Sequence, residues 1–210
     1  MRISLIDFVH RDILLIRLIS EIRCIDRMAM KNIIKAIIVS MAFVACDSGE
    51  ERYSREYLCQ FTFNTQLHIA SPLTRSLTNP GSFVRVDVKK ELGVFNLFIY
   101  SNNGKEQEKL TLSTDKENYQ MGQVGANNSI IVGCSNFNGL RAYDSQCPNC
   151  LDAYTGISYP LTWTDNGQTV CCAKCNRKYQ LNSDGITDNG LRLIEYRVRF
   201  DGQMLVVRNN

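Results

Sequence analysis

Beyond residue 57 the apolar positions alternate with polar ones over short stretches, which is the period of half-buried strands. Residues 82–88 run Ser-Phe-Val-Arg-Val-Asp-Val, and 94–100 run Val-Phe-Asn-Leu-Phe-Ile-Tyr before the turn signal Ser-Asn-Asn-Gly. Further strands are expected at 129–133, 140–143, 169–171, 193–199 and 204–207, with Asp201-Gly202 joining the last two as a hairpin. A 3.6-residue apolar period is not sustained over three turns anywhere past Cys46. Residues 66–77 offer one short helix before Asn79-Pro80-Gly81. The pattern predicts one all-β domain over 58–210, an antiparallel sandwich or barrel of short strands and Gly/Asn turns.

The first 45 residues follow a different pattern. From Met30 a basic stretch leads into the apolar run 36–44, then Ala45 and Cys46. The run is too short to span a bilayer, which takes ~20 apolar residues, and its order of parts is that of an export signal. It resembles a bacterial lipoprotein signal, with Phe43-Val44-Ala45-Cys46 as a loose lipobox. That resemblance implies a lipidated Cys46 as the mature amino terminus, a signal peptide over 30–45, and residues 1–29 lying upstream of the true start. Residues 46–57 are then a polar tether. Asp47-Ser-Gly-Glu-Glu51 resembles the acidic signal that sends some Gram-negative lipoproteins to the outer surface. The expected location is the outer membrane, facing the periplasm or the exterior, with the membrane itself as partner through the lipid.

Charge adds an exclusion. The chain has 24 Lys and Arg against 21 Asp and Glu. Residues 1–45 hold seven basic and four acidic residues, so 17 of each sign remain in the mature part. A balanced surface argues against a nucleic-acid partner and against steering of a strongly charged substrate. A protein partner has no signature here.

Cysteine is the compositional anomaly: nine, against two His. Cys147-Pro-Asn-Cys150 and Cys172-Ala-Lys-Cys175 are two C-x-x-C pairs. Each such turn can aim two thiolates at one point, and two of them make a tetrahedral site for zinc, a single iron or an iron–sulfur cluster. An exported chain also leaves disulfides open. Cys171 faces away from Cys172 on a strand and is expected, like Cys59 and Cys134, to be a small buried hydrophobe. Cys24 falls in the leader. Asp144, Asp152 and Asp165 lie near the pairs and are expected to be solvated turn residues. Tyr154, Tyr159, Trp163 and Tyr179 are expected to cover the site. A nucleophile elbow, a P-loop and a dinucleotide fingerprint are all absent, and the expectation is a non-catalytic protein.

These motifs carry a family resemblance. Ile130-Ile-Val-Gly133, Tyr143-Asp144 and Cys147-Pro148, then Cys172-Ala-Lys-Cys175, Tyr179, Asp184-Gly185, Tyr196 and Asp201-Gly202, resemble the two halves of a Rieske ferredoxin-like domain. The resemblance covers roughly 80–207 and implies a Rieske-like fold with a small two-knuckle subdomain at about 145–182. The family's two His ligands are replaced by Asn149 and Cys175, so a two-His [2Fe-2S] centre is excluded. What remains is a four-cysteine variant with Cys147, Cys150, Cys172 and Cys175 as metal ligands. Structural zinc is the expected occupant. The alternatives are an electron carrier with an all-cysteine [2Fe-2S] cluster or rubredoxin-like iron, and a disulfide-stapled surface module.

Overall fold

A computed structural model describes residues 52–153 and 157–209. The expected signal region, the expected lipidation position Cys46, Cys24 and Tyr154 lie outside the described residues. The described chain is mostly β, as the alternation predicts, and its larger sheet curls into an antiparallel half-barrel. The strands are β1 (Gln60–Asn64), β2 (Ser82–Glu91), β3 (Val94–Ser101), β4 (Gln107–Thr111), β5 (Ser129–Ser135), β6 (Gly139–Asp144), β7 (Leu161–Thr164), β8 (Thr169–Cys172), β9 (Lys178–Gln180), β10 (Glu195–Phe200) and β11 (Met204–Arg208). Three short helices join them: α1 (Pro72–Ser76), α2 (Asp115–Gln120) and α3 (Pro148–Ala153).

The large sheet runs β1-β11-β10-β6-β5-β2-β3-β4, and the small one β7-β8-β9. The small sheet is therefore an insertion between β6 and β10, two strands that pair with each other through Glu195 and Tyr143. The segment after β4 helps to curl the large sheet. Phe95 N–H donates to Asn118 Oδ1 (2.8 Å). Farther along the same segment, Gln60 N–H donates to the Gln123 carbonyl and Gly122 N–H to that of Gln60.

Alternation sorts the side chains into two cores. Val84, Val86 and Val88 of β2 face the half-barrel interior with Phe61, Phe63, Leu97, Ile99 and Val207. Phe83 faces the other way and joins Ile131 and Tyr143 in a second core beneath the small sheet. β5 is buried on both sides, Ile130 and Val132 inward and Ile131 outward, which is why its sequence is a continuous apolar run.

Several local expectations change. Helix is confined to Pro72–Ser76 within the expected 66–77: Ser71 caps it by accepting from Leu73 N–H (3.3 Å), with Pro72 at the first turn. The strand expected at 193–199 starts at Glu195, because Leu193 bonds the Gly185 carbonyl and buries in the second core. Residues 52–57, expected as the end of the tether, are held to the domain. Arg52 pairs with Asp184 (2.9 Å) and Glu195 (3.0 Å). Ser54 N–H donates to the Glu195 carbonyl, and Asn209 Nδ2 to the carbonyls of Ser54 and Tyr57.

Candidate metal centre

The first knuckle follows β6. Cys147 N–H donates to the Tyr159 carbonyl (2.9 Å) and Leu161 N–H to that of Ser145 (2.8 Å), so the approach to Cys147 is pinned beside β7. Pro148 opens α3, where its missing N–H costs nothing. Cys150 and Leu151 N–H both donate to the Cys147 carbonyl, which turns Cys150 back over Cys147. The second knuckle follows β8. Asn176 N–H donates to the Cys172 carbonyl (2.8 Å), and Cys172 N–H to that of Arg177 (3.1 Å). Asn176 takes φ 57°, a left-handed conformation that Asn tolerates better than most residues, and the chain reverses into β9.

The four sulfurs meet. Their Sγ atoms all lie within 4.8 Å of one another. The near pairs run across the knuckles: Cys147 to Cys175 at 3.6 Å and Cys150 to Cys172 at 3.7 Å. A tetrahedron with metal–sulfur bonds of ~2.3 Å has sulfur–sulfur edges of ~3.8 Å, whereas a disulfide needs ~2.05 Å. All seven cysteines among the described residues are free thiols. Cys147, Cys150 and Cys172 are buried and Cys175 is half-buried, so the donor set is soft, almost dry and complete at four. It fits a metal ion, and its chemistry leaves no open coordination position.

The surroundings prepare the sulfurs for a cation. Burial pushes the Cys147 thiol up to about 11 and that of Cys150 higher still. Burial also opposes ionisation of Cys175, but the Arg177 backbone N–H and guanidinium overcome it and draw that thiol down to about 6. Tyr179 Oη stands 3.1 Å from Cys147 Sγ and accepts from Asn149 Nδ2 (2.9 Å). Accepting there leaves the hydroxyl proton aimed at the sulfur, an outer-shell bond that steadies a thiolate ligand.

Asn149 also has a task of its own. Its Nδ2 donates to the Leu191 carbonyl (3.0 Å) and its Oδ1 accepts from Leu191 N–H (3.0 Å). It clamps the segment before β10 to the first knuckle. Asn149→Ala removes these bonds and the orienting contact to Tyr179. The expected cost is ~1–2 kcal/mol at a half-buried position, seen as faster proteolysis at 186–192 with metal content retained.

Tyr179 lies fully buried in the second core, with Tyr159 and Trp163 packed against it, as expected of covering aromatics. The side chains of Asp152 and Asp165 lie outside the described residues. Asp144 is no solvated turn residue. It is fully buried and accepts from Tyr196 Oη (2.7 Å), Ala126 N–H (2.7 Å) and Gln146 N–H (2.8 Å). Cys59 is buried as expected, and burial with the nearby Asp144 pushes its thiol up to about 12. Cys134 and Cys171 are only half-buried, at variance with the expected buried hydrophobes. His68 pairs with Glu117 (2.9 Å) away from the sulfurs, so among the described residues no imidazole belongs to the sulfur cluster.

No family model, no curated protein and no solved structure matches the chain.

Proposed function

We propose that the chain is a lipid-anchored protein of a Gram-negative envelope whose Rieske-like β domain carries a structural four-cysteine zinc centre and no catalytic site. The observation that carries the reading is the set of four sulfurs within 4.8 Å of one another, with the two cross-knuckle pairs at 3.6 and 3.7 Å. Zinc has no d-electron preference in geometry and accepts four thiolates. With every position filled, Lewis-acid hydrolysis has no place for substrate. The Rieske likeness is supported by the motif order in the sequence. The anchor is supported by the order of basic stretch, apolar run, Ala45 and Cys46.

One observation favours the electron-carrier reading. Cys175 is half-exposed beside Arg177, which puts one ligand sulfur near solvent, where an electron can enter. Metal analysis with a visible spectrum decides between them. The expected result is about one zinc per chain, from the tetrahedral thiolate set, and a colourless protein. Stoichiometric iron with thiolate-to-iron absorption would replace the structural reading with electron transfer at low potential, since four thiolates lack the imidazoles that raise a Rieske potential.

A further inference from the structure

Asp184 is a hub on the outside of the domain. Its Oδ1 accepts from Arg52 Nη2 (2.9 Å), Arg141 Nε (3.1 Å) and Asn138 Nδ2 (3.1 Å), and its carbonyl from Arg192 Nη2 (3.2 Å). Three large apolar side chains stand exposed on the segments that meet there. Phe137, 82% exposed, adjoins Asn138 in the β5–β6 turn. Ile186 (49%) and Leu191 (53%) lie on a segment whose ends are joined by Leu193 N–H donating to the Gly185 carbonyl. Asn149 fixes Leu191 from both sides of its peptide. One exposed apolar residue is ordinary, but three around one ion-paired hub form a candidate contact surface.

Chain length says what that surface meets. Five residues, 47–51, separate Cys46 from Arg52, and Arg52 is fixed to Asp184 and Glu195. Six Cα steps reach ~20 Å at full extension. A domain of this size is ~40 Å across. Acyl chains on Cys46 therefore hold the Asp184 face, and not the opposite end, close to the bilayer. Arg52, Arg141 and Arg192 are matched by Asp184 and Glu195, and Arg177 Nε donates to the Asn189 carbonyl (3.0 Å), so the polar groups around the three apolar side chains are already paired with one another. Exposed apolar side chains set among paired polar groups suit the headgroup boundary of a bilayer, where apolar tips enter and polar groups stay hydrated.

We infer that this face is a membrane-contact surface that seats Phe137, Ile186 and Leu191 among phospholipid headgroups beside the lipid anchor. The inference rests on lipidation of Cys46 as proposed above.

The test uses the full-length protein in phosphatidylethanolamine–phosphatidylglycerol vesicles with brominated acyl chains. Acylation is first read by mass spectrometry. The chain has one Trp, Trp163, which supplies the background. Phe137→Trp places a probe on the proposed face. Leu92→Trp is the control: β2 begins beside the β5 end that leads to Phe137, since Ser82 pairs with Cys134, and Leu92 follows its far end, ~30 Å away for ten strand residues. At a depth of ~5–10 Å the Phe137→Trp signal should fall about twofold or more, with Leu92→Trp unchanged. An acylated protein in which Phe137→Trp is unquenched, or Leu92→Trp is quenched instead, overturns the inference and leaves the anchor standing. A protein without acyl chains overturns the anchor and the inference with it.

Discussion

Replacing any one of Cys147, Cys150, Cys172 or Cys175 with Ser is expected to abolish metal binding and to unfold the small sheet locally. Three sulfurs would remain, with an open position facing a nearly dry pocket. Structural zinc contributes ~10 kcal/mol or more to the folding of small peptides, so each loss should be large and the four similar. The second core limits the damage. Cys147, Cys150 and Cys172 pack with Leu161, Val170, Tyr179, Leu181 and Leu193 against Phe83, Ile131 and Tyr143 on the outer face of the half-barrel. The first core, built on the other face of the same strands, shares none of these side chains. Hydrogen exchange should therefore speed up over 145–193 and remain slow over the inward-facing parts of β2, β3 and β5. Cys134→Ser and Cys171→Ser should leave metal content unchanged, because neither sulfur belongs to the cluster. Equal metal content in the parent and in Cys175→Ser would disprove a shared centre.

The knuckles could be read from sequence because each is a local event: two ligands three residues apart, a turn, and a strand before or after it. The central strands could be read because a strand with one face on a core must alternate. What stayed hidden has specific causes. β4, Gln-Glu-Lys-Leu-Thr, is an edge strand paired to β3 alone, and its mostly polar pattern carries no buried face to betray it. α2 did leave a signal, since Thr114 and Glu117 have the spacing of a capping box: Glu117 N–H donates to Thr114 Oγ1, and the Thr114 hydroxyl donates to Glu117 Oε2. The docking of Arg52 joins residues more than 130 positions apart and has no local trace. Asn149 reads as the residue that fails to be histidine, and its clamp on Leu191 needs the fold to be visible.

Asp144→Asn is expected to destabilise the protein by ~2–3 kcal/mol at neutral pH, because a buried donor is then left without an acceptor. As a carboxylate, Asp144 takes three donors: Gln146 N–H on Oδ1, Ala126 N–H and Tyr196 O–H on Oδ2. An amide has one oxygen. Turned toward Gln146, it faces Ala126 N–H with another N–H; turned the other way, it faces Gln146 with one. Gly125 walls in the site, since a Cβ there would collide with Oδ2 and its φ of +67° already favours glycine. The bond to Gln146 sits one residue before Cys147, so the variant should also bind metal more weakly. A pH dependence follows. Burial raises the Asp144 pKa above 3.8, against the lowering by Ala126, Tyr196 and Gln146. The folded state thus holds this proton more tightly than the unfolded chain. Its contribution is full below 3.8 and is lost as pH rises through the folded pKa. Asn does not titrate, so the stability gap between parent and variant should narrow as pH rises across that window and then hold a constant value set by the orphaned donor. Denaturant unfolding of both proteins across the acid range checks this. A variant as stable as the parent at pH 7 would mean that an amide serves the three donors as well as the carboxylate does, and that Asp144 does not anchor the first knuckle.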